Sequence, residues 1–290
     1  MSLPVAILAG GLATRLRPVT QEIPKSLVDV AGLPFAVHQV IWLRGQGIER
    51  IVFCVGYRGE MIREALGDGR RWNVSIDYVF DGDRLLGTGG ALKRAQPVLG
   101  DPFFVMYGDS FVDCDLRSIE RAFRIDGRAG LMTVFRNDDQ WDRSNVLFVD
   151  GRLLRYDKRN RTSDMRHIDY GIGVLSARAL DAFPPGEPFD LAAVYERLLA
   201  NNELIGFEVS ERFYEIGSPE GLEETRAFLA GKRGATDVTP WASARSARTQ
   251  LHAARSGSRP PESPSGPCHR RHSPRRSSTA APARSPSPSN

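Results

Sequence analysis

Up to about residue 230 the chain switches repeatedly between short apolar runs and stretches with helical spacing. Val5-Ala6-Ile7-Leu8-Ala9 is apolar throughout and reads as a buried strand. Pro34 to Gly45 sets Phe35, Val37, Val40, Ile41 and Leu43 at amphipathic spacing, and Gly45 and Gly47 end that helix. Ile48 to Val55 is a second buried strand and Arg58 to Leu66 a second helix, so the chain begins with a βαβ unit. Residues 26–33 are expected to carry the chain across the sheet edge. Asn73 to Phe80 alternates as a third strand, and Phe103 to Tyr107 is a fourth buried run.

The second half reads differently. Leu116 to Arg124 is a helix and Leu131 to Phe135 a strand. Asn145 to Val149 and Arg152 to Asp157 flank Asp150-Gly151, a pair that favours a two-residue hairpin turn. His167 to Leu175 is a strand with a tight glycine approach, Phe189 to Ala200 a helix and Leu204 to Val209 a strand. Ser218-Pro219 caps and starts a last helix over Glu220 to Leu229. His38, Cys54 and His167 lie in these packed elements and are read as structural.

Composition adds a boundary. Residues 235–290 carry nine arginines against Asp237 and Glu262, a net +7, which leaves about −3 for the rest of an overall +4. That segment is rich in Ser, Pro and Ala without periodic apolar positions, so the expected organisation is a domain over 1–233 and a disordered tail over 234–290. A nucleic-acid-binding role would rest on this tail alone and is not expected. Cys54, Cys114 and Cys268 are far apart and support neither a disulfide framework nor a zinc site. No run reaches transmembrane length, so the expectation is a cytoplasmic protein without a membrane partner.

The chemistry is concentrated in the loops that the apolar strands deliver. The first strand empties into Gly10-Gly11, where the main chain can approach a ligand and point successive N–H groups at phosphate oxygens. Arg15, Arg17 and Lys25 add fixed positive charge, and Pro18 and Pro24 hold those cations apart around a polyphosphate. The spacing is neither G-x-x-x-x-G-K-[ST] nor G-x-G-x-x-G, which excludes the P-loop and the dinucleotide-binding fingerprint. The third strand leads into a glycine-dense segment, Asp81 to Leu92, that opens a helix and offers N–H groups to a base or ribose. Asp109 follows the fourth strand, at the end of a parallel strand where ligand crevices open. Asp113-Cys114-Asp115 makes a D-x-D, although Asp115 also stands where a helix cap is needed.

Gly10-Gly11-Leu12-Ala13-Thr14-Arg15-Leu16-Arg17-Pro18-Val19-Thr20, followed by Pro24-Lys25, resembles the signature G-G-x-G-T-R-L-x-P-x-T…P-K of the sugar-1-phosphate nucleotidylyltransferases, with Ala13 in place of the third glycine. The likeness continues in family order through Leu86 to Ala91, Asp109, Lys158, the strand around Gly171 and Phe213 to Pro219. It implies an α/β, Rossmann-like nucleotidyltransferase fold of the GT-A-like kind: three αβα layers around a mixed, mostly parallel sheet. It implies transfer of a nucleotidyl group from an NTP to a sugar 1-phosphate, assisted by Mg²⁺, with pyrophosphate as the other product. Arg15 and Lys25 would then be catalytic, and Ala9, Gly10, Gly11, Thr14, Arg15, Gly87, Thr88 and Gly89 would bind nucleotide. Lys158, Asp169 and Gly171 would bind the sugar phosphate, and Asp109 and Glu215 would hold the metal. Four departures fall on that second half: Asp157 for Glu and Arg159 for Pro around Lys158, Asp169 for Asn, and Glu215 for the family's Asp. The closest family members in feel transfer guanylyl or uridylyl groups to mannose, heptose or N-acetylmuramate 1-phosphate, and the lean is to GTP with a mannose- or heptose-type sugar. Members of the family are commonly homo-oligomers. Two alternatives stay open: a catalytically inactive regulatory homologue, and a glycosyltransferase using Asp113 and Asp115.

Overall fold

A strand without a polar residue has to be covered on both faces, and every residue of β1 (Val5–Ala9) is buried. After it come a small hairpin, β2 (Asp29–Val30) and β3 (Leu33–Pro34), then α1 (Phe35–Gly45), β4 (Arg50–Val55), α2 (Gly59–Leu66), β5 (Ser75–Phe80), α3 (Gly87–Leu99), β6 (Phe103–Tyr107) and β7 (Ser110–Phe111). The second half runs α4 (Leu116–Asp126), β8 (Gly130–Arg136), β9 (Val146–Val149), β10 (Arg152–Tyr156), β11 (His167–Leu175), α5 (Leu191–Ala200), β12 (Leu204–Val209), β13 (Tyr214–Glu215) and α6 (Pro219–Lys232). This computed structural model describes residues 2–12, 14–16 and 19–232. The expectations attached to Ala13, Arg17, Pro18, the Thr14 side chain and the tail lie outside the described residues.

β1 sits between β4 and β6, parallel to both, and β5 continues the parallel block beyond β4. On the other side β11 runs antiparallel to β6 and to β8, and β12 lies parallel to β8, completing a mixed sheet of nine strands among the described residues. Strand alternation sends each residue set to its own layer. Val5, Ile7, Ile51 and Phe53 pack with α1, α2 and α4, whereas Ala6, Leu8, Val52 and Cys54 pack with α3 and α5. The expected three-layer α/β architecture is therefore observed.

Two local features differ from, or add to, the sequence reading. The stretch expected merely to cross the sheet edge forms the β2–β3 hairpin, with Ala31 and Gly32 both at positive φ (48° and 80°) and the Asp29 side chain accepting from Gly32 N–H at 3.0 Å. Residues 110–111 and 214–215, too short to show a strand pattern, pair antiparallel as β7 and β13, with Glu215 opposite Ser110. The Asp150-Gly151 turn is as expected, both residues lying at positive φ as a type I′ hairpin requires. α6 runs on to Lys232, where its ammonium pairs with Asp113.

Candidate active site

Three strand ends meet above β1. Gly108 N–H donates to the Leu8 carbonyl at 3.0 Å, and Tyr57 N–H to the Gly10 carbonyl at 3.3 Å. The contact is so close that a Cβ on Gly108 would lie 2.5 Å from the Leu8 oxygen, and one on Gly56 2.8 Å from that of Gly10. No side chain fits at Gly56 or Gly108, which explains glycine there. The cavity of about 460 Å³ over this junction is lined by Ala9, Gly10, Gly11, Arg15, Lys25, Gly87, Thr88 and Asp109, all expected from sequence. Its apolar end is formed by Leu8, Cys54, Leu85 and Ala91, with Asp81 among them.

Gly89 is placed elsewhere than expected. Its N–H donates to the Phe189 carbonyl at 3.0 Å, Gly90 N–H shares that acceptor at 3.2 Å, and a Cβ on Gly89 would lie 2.3 Å from the Phe189 ring. Two of the N–H groups at the start of α3 are thus spent on the segment before α5, and Gly89 serves packing. Thr88 lines the cavity while its hydroxyl also accepts from Leu191 N–H at 2.7 Å.

Lys25 and Asp109 form an ion pair of 2.7 Å, with side-chain exposures of 14% and 38%. Glu215 is brought to them by the β7–β13 pairing and by Ile216 N–H, which donates to the Asp109 carbonyl at 3.0 Å. Burial first, and then the Asp109 charge, raise the Glu215 carboxyl above its usual range, against the lowering effects of Lys25, Arg15 and the Gly217 N–H. Two carboxylates that repel each other beside this cavity are oxygen donors of the kind that a hard divalent cation takes. Among the described residues no group of three His, Cys, Asp or Glu could enclose a metal. Mg²⁺ takes one or two protein carboxylates and completes its shell with water and phosphate oxygens, so the oxygen donors of Asp109 and Glu215 fit it.

A second depression of about 200 Å³ adjoins the first and shares Tyr107 with it. Lys158, Asp169, Gly171 and Glu215 line it, together with Asn145, Arg143 and Arg161. β11 makes room by bulging: its register against β8 slips between Asp169 and Gly173, and Gly171 sits in that slip at φ 101°. Asp169, expected at the sugar phosphate, lines this depression and also anchors its wall. Its Oδ2 accepts from the hydroxyls of Tyr107 at 3.1 Å and Tyr156 at 3.5 Å, and its Oδ1 from Gly171 N–H at 3.2 Å. Lys158 Nζ reaches the Tyr107 hydroxyl at 3.3 Å and lies 5.1 Å from the centre of that ring. Burial, followed by Asp169, raises the Tyr107 hydroxyl well above its usual range, so it stays protonated and joins Lys158 to Asp169.

Tyr107 and Asp81 are the residues sequence reasoning missed. A polar tip closing the apolar run Phe103–Tyr107, and an acid directly after a buried strand, are signals that pointed to both. Asp113 and Asp115 belong to neither depression. Asp113 pairs with Lys232, while Asp115 caps α4 by accepting from Arg117 N–H at 3.0 Å and the Ser118 hydroxyl at 2.6 Å. The capping reading of Asp115 holds, and the D-x-D is not at the site. His167 bonds Glu208 at 3.1 Å and packs on Phe148, away from the cavity lining.

Comparison with known proteins agrees with this geometry. The family model described as nucleotidyl transferase matches residues 5–144. A mannose-1-phosphate guanyltransferase of Hypocrea jecorina is 27% identical over 81% of this chain and 67% of its own length. A D-glycero-alpha-D-manno-heptose 1-phosphate guanylyltransferase of Aneurinibacillus thermoaerophilus is 29% identical over 77% of this chain and 96% of its own. The crystal structure of HddC from Yersinia pseudotuberculosis complexed with GMP-PN superposes with a TM-score of 0.66 at 26% identity, covering 79% of this chain and 100% of that one. Against several other curated relatives the chain spans only 61–64% of their length. The strand order, the glycines that line the cavity and these matches all liken the chain to the nucleotidyl transferases.

Proposed function

We propose that the protein transfers a nucleotidyl group from an NTP to a sugar 1-phosphate, giving an NDP-sugar and pyrophosphate. The observation that carries this reading is the meeting of two depressions at Tyr107: a main-chain-walled cavity with Arg15 and Lys25, and a smaller one with Lys158. A phosphate oxygen of the sugar phosphate, already ionised at neutral pH, attacks the α-phosphorus in line. The bond from the α-phosphorus to the α,β-bridging oxygen breaks, and pyrophosphate carries away the electron pair. No protein nucleophile is required, so the work of the site is alignment and charge neutralisation.

In this reading the Gly10-Gly11 main chain and Arg15 hold the β- and γ-phosphates, and Lys25 neutralises charge building on the α-phosphoryl group. Lys158, steadied by Tyr107, holds the phosphate of the sugar. Asp109 and Glu215 would hold Mg²⁺, which when bound supplies charge neutralisation between nucleotide and acceptor. The relatives include uridylyl as well as guanylyl enzymes, and the reading favours GTP with a mannose- or heptose-type sugar phosphate. Residues 1–233 are the proposed catalytic domain, acting in the cytoplasm on the nucleotide pool there, and the basic tail is dispensable for the reaction. No helix among the described residues is long and apolar enough to cross a membrane. Incubation of the full chain with Mg²⁺, GTP and mannose 1-phosphate or a heptose 1-phosphate, followed by mass spectrometry, tests the proposal. An NDP-sugar formed only when both substrates are present supports it; nucleotide hydrolysis without sugar transfer sinks it.

A further inference from the structure

A buried amide beneath the site ties together the turn that carries Asp109. Gln39 lies on α1, whose buried face is otherwise built from residues such as Phe35, Val37, Val40 and Leu43, and it is 0% exposed. Its Nε2 donates to the Ser110 carbonyl at 2.8 Å and to the Tyr107 carbonyl at 3.1 Å. Those two carbonyls bracket Gly108 and Asp109, so one amide group joins the two ends of the turn. Its Oε1, by contrast, is buried without a hydrogen-bond partner among the described residues. A buried acceptor left unfilled costs free energy, and an apolar side chain at this position would carry none. What the glutamine adds over an apolar residue is its pair of donors.

We propose that Gln39 is a positioning residue for nucleotidyl transfer, setting the Asp109 carboxylate at a fixed distance from the depression that holds the sugar phosphate. This rests on the nucleotidyl-transfer reading, which gives Asp109 to the metal and Lys158 to the sugar phosphate. The turn is where the two depressions join: Tyr107 lines both, Asp109 the larger and Ser110 the smaller. Gly108 N–H fastens the turn to the Leu8 carbonyl at 3.0 Å, and Ile216 N–H reaches the Asp109 carbonyl at 3.0 Å. The Gln39 amide fastens its two ends to each other. On one end stands Tyr107, whose hydroxyl meets Lys158 Nζ at 3.3 Å, and two residues on stands Asp109. In-line attack needs the acceptor oxygen close to the α-phosphorus and aligned with the leaving group, so a shift of about 1 Å between metal and acceptor lowers the rate without loosening either substrate. Gln39 lines neither depression and acts through the main chain of residues 107–110.

The test compares the full chain with two variants. Gln39→Met keeps length and bulk but has no donor, whereas Gln39→Ala leaves space for water to fill both carbonyls without tying them together. Transfer kinetics are read with Mg²⁺, GTP and a sugar 1-phosphate, and Mn²⁺ binding to the GTP-loaded chain is read by electron paramagnetic resonance without sugar phosphate. Both variants should lose about 10- to 100-fold in kcat and bind Mn²⁺ about 10-fold more weakly, with KM for either substrate little changed. Unchanged KM values also show that the variants are folded. In an Asp109→Asn background Gln39→Met should weaken Mn²⁺ binding little further, because the residue acts through Asp109. Losses that add in full in the double variant, or a rise in KM that matches the fall in kcat, would make Gln39 a packing residue and overturn the proposal. So would a Gln39→Met chain that fails to fold beside a Gln39→Ala chain of wild-type kcat. A wild type that makes no NDP-sugar would sink the transfer reading and the proposal with it, whereas an active wild type matched by both variants sinks the proposal alone.

Discussion

The larger cavity forms where the ends of β1, β4 and β6 pack main chain on main chain and has five glycines in its lining, whereas the depression beside it is walled by side chains that hold one another. On the first side, Gly10, Gly56 and Gly108 pack strand end on strand end, and a methyl group on Gly56 or Gly108 has nowhere to go. On the second, Asp169, Tyr107, Tyr156 and Lys158 form a hydrogen-bonded chain over a bulged strand. A wall of main chain tolerates few residue types but binds any polyphosphate. A wall of side chains can be rewritten one residue at a time. On the proposed reading, the difference separates the part that handles the nucleotide's phosphates from the part that chooses an acceptor.

Breaking the first side should have the largest effect. Lys25→Ala should lower kcat by roughly 10²- to 10³-fold, the usual loss when one preorganised charge stabiliser is removed, with a much smaller change in GTP affinity. Steady-state kinetics beside calorimetric titration separates the two. Equal losses in kcat and binding would mean that Lys25 merely anchors nucleotide. Next, Asp109→Asn and Glu215→Gln should each raise the Mg²⁺ concentration for half-maximal activity, by about 10-fold or more. An unchanged Mg²⁺ curve in both would remove these residues from the metal.

On the second side, Lys158→Ala should raise KM for the sugar phosphate by about 10- to 100-fold, with little change for the nucleotide. Tyr107→Phe should move the same parameter less, since it cuts only the link between Lys158 and Asp169. If nucleotide KM rose instead, the division of labour between the two depressions would fail. The smallest effects belong to the D-x-D. Asp115→Ala should cost about 1 kcal/mol of stability through the lost α4 cap, read from chemical denaturation, and leave kcat unchanged. A dead but folded Asp115→Ala would revive the glycosyltransferase alternative.

The same contrast explains what could be read in the sequence. Gly10-Gly11 and Asp109 follow closely on apolar strands, Arg15, Lys25, Gly87 and Thr88 stand in the segments those strand ends lead into, and all of them line one cavity. The second depression was legible only through resemblance. Lys158, Asp169 and Glu215 are brought together by the hairpin, which Asp150-Gly151 did announce, and by a bulge in β11 and a pair of two-residue strands, which leave no periodic trace. Gly89 shows the opposite error. Its place in a glycine-rich segment suggested a ligand, but the ring of Phe189, far along the chain, fills the space that its missing side chain leaves. Asp81 was read only as the start of a glycine-dense segment, although its place directly after a strand was a signal, and its burial beside an apolar cavity makes it stand out.

The most direct test of the central claim is pyrophosphate release by the full chain with Mg²⁺, over GTP, UTP, CTP, ATP and dTTP crossed with several sugar 1-phosphates. The account predicts release that requires both substrates and is greatest with GTP and a mannose- or heptose-type sugar phosphate. Nucleotide binding without release for every sugar in the grid would contradict it, and would identify the protein as a nucleotide-binding regulator built on a catalytic fold.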